Sequence, residues 1–143
     1  MTINVMIIPS FGYQSRQEDK NNNVGIASDM FASNEFTELY QSSILSYDLV
    51  YLYDPHYGVI PPTSLVGYYE PKSDVGLNNI IKNPFDVARS IVGTLPSELV
   101  CKEIELNYHQ KIPEMVVPFL QKINNEINAI LLKKFNTLKI YRL

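Results

Sequence analysis

Leu49-Val50-Tyr51-Leu52-Tyr53, followed at once by Asp54-Pro55-His56-Tyr57-Gly58, is the stretch that decides the fold. Five consecutive apolar or aromatic residues, rich in β-formers, have strand length. Their lack of polar alternation places both faces against other elements. Asp54-Pro55 and then Gly58 supply a turn. A strand buried on both faces belongs to a parallel sheet covered on both sides, so helices are expected before and after it.

Upstream, Ser33-Asn34-Glu35-Phe36 reads as a helix start with Ser33 as N-cap, and Phe36, Leu39, Tyr40, Ile44 and Tyr47 share one face. Earlier still, the run Ile3 to Ile8, ended by Pro9, predicts a first buried strand, and Ser10 to Gly25 reads as a polar loop. Downstream, Pro61-Pro62 makes the continuation a loop, and Asn83-Pro84-Phe85-Asp86 opens a second helix with Pro84 at its first position. Ala88, Ile91, Val92 and Leu95 continue the helical spacing, and Pro96 closes it.

Leu99-Val100-Cys101 predicts a third strand, and Cys101 there reads as a small core residue or a reactive thiol. A helix is expected from Leu106 to Ile123 on the spacing of Ile112, Met115, Val116, Phe119 and Leu120, with Pro113 and Pro118 marking a start or kink. Ile127, Ile130, Leu131 and Phe135 predict a last helix, and Leu138 to Tyr141 a terminal strand. Strand and helix alternate. The expected class is therefore α/β: one small three-layer domain over residues 1–143, with a short, mainly parallel sheet and helices on both faces. Ligands of such sheets sit at the carboxyl ends of the strands, which brings Pro9 to Gly12 beside Asp54 to Gly58.

Composition narrows the function classes. Twelve Lys+Arg against 15 Asp+Glu give a formal charge of −3, which argues against nucleic acid as the main partner. A single Cys excludes an intrachain disulfide and favours a cytoplasmic setting. The apolar runs are too short for a membrane span or a signal peptide. The charge is also unevenly spread: no Lys or Arg occurs between Lys20 and Lys72, where six acidic residues and seven of the ten Tyr lie. From Lys102 onward seven basic residues face four acidic ones. Such a segment reads either as solvated helix faces with packed Tyr, or as an acidic, Tyr-rich contact surface on Glu35, Glu38 and Tyr40.

The common chemical motifs are absent from the sequence. Neither Gly-x-Gly-x-x-Gly nor a Walker-type phosphate loop occurs, and one Cys with two distant His gives no zinc pattern. No cofactor and no metal are expected. His56 remains, two residues past a buried strand and flanked by Asp54 and Gly58. It reads as a turn histidine bonded to backbone, or as an acid–base group whose ring Asp54 orients. His109 reads as a helix-surface residue.

The segment Asp54-Pro55-His56-Tyr57-Gly58-Val59-Ile60-Pro61-Pro62 after its aromatic strand resembles a bacterial and phage domain family of unknown function, whose members carry Leu-Ser-Ala-Lys-His-Gly-Leu at this place. Ala27-Ser28-Asp29-Met30-Phe31-Ala32-Ser33, with Phe36, is similar to that family's Ala-Arg-Glu-Leu-Tyr-Thr-Ser segment. Pro9-Ser10-Phe11-Gly12, Tyr69-Glu70 and Tyr108 resemble its first loop, a later Tyr-Asp and a Tyr after the third strand. The departures fall on polar groups: Ser28 replaces the family's Arg, and Tyr53-Asp54-Pro55 replaces its Ser-Ala-Lys. The family's Lys-rich first loop is also missing, with Arg16 and Lys20 as approximate substitutes. The resemblance implies a divergent member that binds anions poorly.

Two functions are expected from these readings. One is a non-catalytic binding protein of phage or mobile-element type, engaging a basic host protein through the acidic Tyr-rich face. The other is a domain or enzyme for a small nucleoside- or nucleotide-like ligand. In it, His56 and Asp54 would act at the strand ends, Ser10, Gly12 and Gly58 would contact the ligand, and Tyr57 or Tyr69 would stack on it.

Overall fold

A computed structural model describes residues 2–12, 14, 24–67, 84–95, 103–131 and 139–141. Its sheet has five strands: β1 (Thr2–Pro9), β3 (Leu49–Asp54), β4 (Gly58–Ile60), β6 (Glu103–His109) and β7 (Lys139–Tyr141). The spatial order is β4-β3-β1-β6-β7. β1 lies parallel to both β3 and β6, β7 is parallel to β6, and only β4 runs antiparallel. A separate two-stranded ribbon pairs β2 (Val24–Ile26) with β5 (Leu65–Gly67).

Strand alternation sends two sets of side chains to the two faces of this sheet. On one face Ile3, Val5, Ile7, Tyr51, Tyr53, Ile104, Leu106 and Tyr108 pack against α3 (Pro84–Gly93) and α4 (Val117–Ile130). On the other, Met6, Ile8, Val50 and Leu52 meet α1 (Ala27–Met30) and α2 (Asn34–Ser46). This is the expected α/β architecture, with a mainly parallel sheet and helices on both faces. Full burial of each such side chain contributes roughly 1.5–3 kcal/mol.

Ser33 caps α2 as its sequence dictates, the hydroxyl accepting from the Phe36 amide at 3.1 Å. The buried stripe of this helix is Phe36, Leu39 and Ser43, while Ile44 is 49% exposed at the flank of the stripe. Pro84 opens α3 as expected.

Several expectations need correction. Leu106 to His109 is strand: in Glu103-Ile104-Glu105-Leu106-Asn107-Tyr108-His109 apolar and polar residues alternate strictly, the signature of a strand with one packed face. Tyr108 therefore sits within the strand, and His109 is a buried strand-end residue, not a helix-surface one. The two helices expected in the last third are one helix, α4, which follows a 3₁₀ turn at Glu114–Val116. Pro118 lies in its first turn, where no amide is needed, so it starts the helix without kinking it. Gly58 to Ile60 is a strand rather than loop, entered through Gly58 at φ 81°. Ser10 to Gly25 and the segment after Pro62 contribute the β2–β5 ribbon. Arg16, Lys20, Tyr69, Glu70, Cys101 and the strand expected at Leu99 lie outside the described residues.

Candidate functional site at the strand ends

The chain leaves β1 for β3 on one side, then crosses back to β6 on the other side of β1. The sheet order thus reverses between β1 and β6, and a crevice forms where their carboxyl ends diverge. A cavity of about 440 Å³ lies there, lined by Phe11, Glu35, Glu38, Leu39, Ser42, His109, Gln110 and Lys111. Its walls follow from local structure. Glu35, Glu38 and Ser42 recur at three- and four-residue steps, so they share one stripe of α2 beside the buried stripe. His109 ends β6 on the face opposite Tyr108, which directs it toward the α2 side of the sheet.

His109 is 5% exposed, and its Nδ1 accepts from the Lys111 amide at 3.1 Å. An accepting Nδ1 must carry the lone pair, so the neutral ring holds its proton on Nε2. Burial first, and then the Lys111 charge, pull the His109 pKa below the ordinary imidazole range. The ring is neutral at physiological pH. Among the described residues Nε2–H has no hydrogen-bond partner. Lys111 reaches back across the rim, its Nζ 3.0 Å from Glu35 Oε2 and 5.8 Å from the centroid of the Phe11 ring.

Phe11 adopts φ 63°, the left-handed region that a bulky residue rarely enters, and Gly12 follows at φ 71°. A network beneath holds that turn. Ser10 is fully buried, its amide donates to the Tyr53 carbonyl at 2.8 Å, and its hydroxyl donates to Asp54 Oδ1 at 2.5 Å. The Gly12 amide donates to the same Ser10 oxygen at 3.1 Å. Asp54 is fully buried, and its Oδ2 accepts from the His56 and Tyr57 amides at 2.9 and 3.1 Å. Burial and the neighbouring Asp54 charge both raise the Tyr53 pKa, so that phenol stays protonated.

The residues singled out in the sequence thus fall into three groups. Ser10, Gly12, Asp54 and His56 form one connected turn network, in which Asp54 binds the His56 backbone amide. Gly58 starts β4 beside it, paired with Asp54. Tyr57 is committed elsewhere: its hydroxyl donates to the Gly67 carbonyl at 2.7 Å and accepts from the Gly67 amide at 2.8 Å, tying the ribbon to the sheet. The His56 ring packs edge-on against Tyr57 at 4.7 Å and does not line the cavity. Glu35 and Glu38 do line it, whereas Tyr40 stacks on Phe36 with ring centroids 5.6 Å apart. Tyr51 and Tyr53, from the Tyr-rich segment, are buried in the core.

Sequence reasoning missed His109, Lys111 and Phe11. The alternation through Glu103 to His109 was the available signal, because it ends a strand at His109. A second cavity of about 250 Å³, whose lining includes Tyr47, Asp48, Leu49, Tyr51, Pro61 and Pro62, lies at the opposite end of β3. Among the described residues no three His, Cys, Asp or Glu gather where a metal could be held, and no helix is long and apolar enough to cross a membrane. Comparison with models of protein families, with curated proteins and with solved structures finds no match.

Proposed function

We propose that this chain is a small-molecule-binding domain whose ligand enters the crevice between β1 and β6. The observation that carries the reading is His109: a neutral, buried imidazole with an uncommitted Nε2–H in the wall of a cavity at the point of strand-order reversal. A donor that opens onto a cavity, and is not closed within the chain, is available to a ligand acceptor. The Phe11 ring offers a face to a planar group, and the two glutamates on α2 accept from hydroxyl or amino groups. Two carboxylates in the wall oppose a phosphate, so a nucleoside fits better than a nucleotide. The resemblance to the phage and bacterial family, with its basic positions lost, agrees with that preference.

The test is NMR titration of labelled protein with adenosine and with AMP. Adenosine is expected to shift His109, Phe11 and Leu39 resonances, and His109→Ala to weaken binding about tenfold, the loss of one well-placed hydrogen bond. Binding that His109→Ala leaves unchanged would sink the assignment.

A second reading, a basic protein partner engaged through Glu35, Glu38 and Tyr40, draws support from Ile44 and Leu45, which stand 49% and 87% exposed on the same helix. Leu45→Asp would weaken such a partner's binding and leave adenosine binding intact.

A further inference from the structure

The seating of Lys111 carries a more specific inference about the same crevice, and it rests on the small-molecule reading. We propose that the crevice takes an organic cation, a primary ammonium or guanidinium compound that also bears an oxygen acceptor, and that Lys111 is its tethered competitor.

The Lys111 ammonium lies between a carboxylate, Glu35 Oε2 at 3.0 Å, and an aromatic face, the Phe11 ring at 5.8 Å. That pairing is how proteins hold organic cations: charge-assisted hydrogen bonding on one side and the ring quadrupole on the other. Glu38 stands one helical turn from Glu35 on the same wall and forms no ion pair among the described residues. The lining therefore holds two carboxylates, one ammonium and one neutral imidazole. A second cation completes the charge balance.

Displacing the resident ammonium is easy, because its ion pair is solvent-exposed at 56% and 63% of the two side chains and such pairs are weak. The incoming cation keeps Glu35, gains Glu38 and inherits the ring of Phe11. His109 then reads the other end of the ligand. Its Nε2–H donates, so it selects a carbonyl, ether or hydroxyl oxygen placed beyond the cationic head. A strained backbone at Phe11 agrees with this role. The left-handed conformation costs roughly 1–2 kcal/mol and is held by the Ser10–Asp54 network, the pattern of strain retained where it serves a site.

Argininamide is a suitable probe, with adenosine as the neutral comparator, followed by calorimetry and by NMR shifts at Phe11 and His109. Lys111→Met is expected to tighten argininamide binding about fivefold by removing the competitor, and Glu35→Gln to weaken it by a similar factor. Both positions are exposed, so both variants should keep the wild-type melting temperature. Argininamide affinity that is unchanged or weakened in Lys111→Met overturns the proposal. So does adenosine binding at His109 and Phe11 without argininamide binding, a result that leaves the small-molecule reading standing. If neither probe shifts these residues in wild type or Lys111→Met, both readings fall.

Discussion

The two strand ends that flank β1 treat their polar groups in opposite ways. At the end of β3, Asp54 spends its carboxylate on Ser10 and on the His56 and Tyr57 amides, and Tyr57 spends its hydroxyl on Gly67. At the end of β6, His109 commits one ring nitrogen to the backbone and leaves the other to a cavity. There Glu38 and an exposed Lys111–Glu35 pair complete the rim. Hydrogen bonds closed within the chain make a scaffold, and groups left open make a site. The β3 end positions the turn at Phe11; the β6 end lines the cavity.

The strongest way to break this comparison is Asp54→Ala. It leaves a buried hydroxyl and two amides without their acceptor, so it should cost about 3 kcal/mol of stability, measured by urea denaturation. A loss below about 1 kcal/mol would mean that the β3 end is not a scaffold.

Phe11→Gly comes next. Relief of the left-handed backbone offsets the lost packing of the ring, so stability should stay within about 1 kcal/mol of wild type while adenosine and argininamide binding collapses. A large destabilisation with intact binding would reverse the roles given to the two regions.

The smallest effect concerns His109 and pH. Its folded pKa is lowered, so the unfolded chain takes up a proton first as the pH falls below about 6.5. Stability from this group is present above that range and is lost as pH drops through it toward the lowered folded value. Glu35, Glu38 and Lys111 face the same cavity. Melting temperatures taken from about pH 7.5 to pH 5 should therefore fall more for wild type than for His109→Gln, which cannot titrate there. Parallel curves for the two proteins would remove the buried, neutral ring from the account.

The sequence displayed the frame of this molecule clearly where a segment carried its own periodicity. The unbroken run Leu49 to Tyr53, the capped start at Ser33 and Pro84 at a helix opening each state a local rule that tertiary packing then obeyed. The frame failed where a local rule was ambiguous. Ile112, Met115, Val116, Phe119 and Leu120 keep helical spacing while Leu106 alternates with Ile104 and Tyr108 as a strand does, and pairing with β1 decides where the strand lies. As helix that stretch puts His109 on a solvated surface; as strand it buries His109 at the strand end.

What the sequence determined by itself was the α/β class, the strand–helix alternation and the acidic stretch from Lys20 to Lys72, because these depend on residue order alone. Which histidine faces the crevice was decided by the tertiary structure. β1 takes β3 on one side and β6 on the other, so the strand order reverses at β6, more than 90 residues along the chain from Phe11. The same long-range pairing sets Lys111 against Glu35, separated by 76 positions. No local pattern encodes that meeting, because it exists only when the sheet closes.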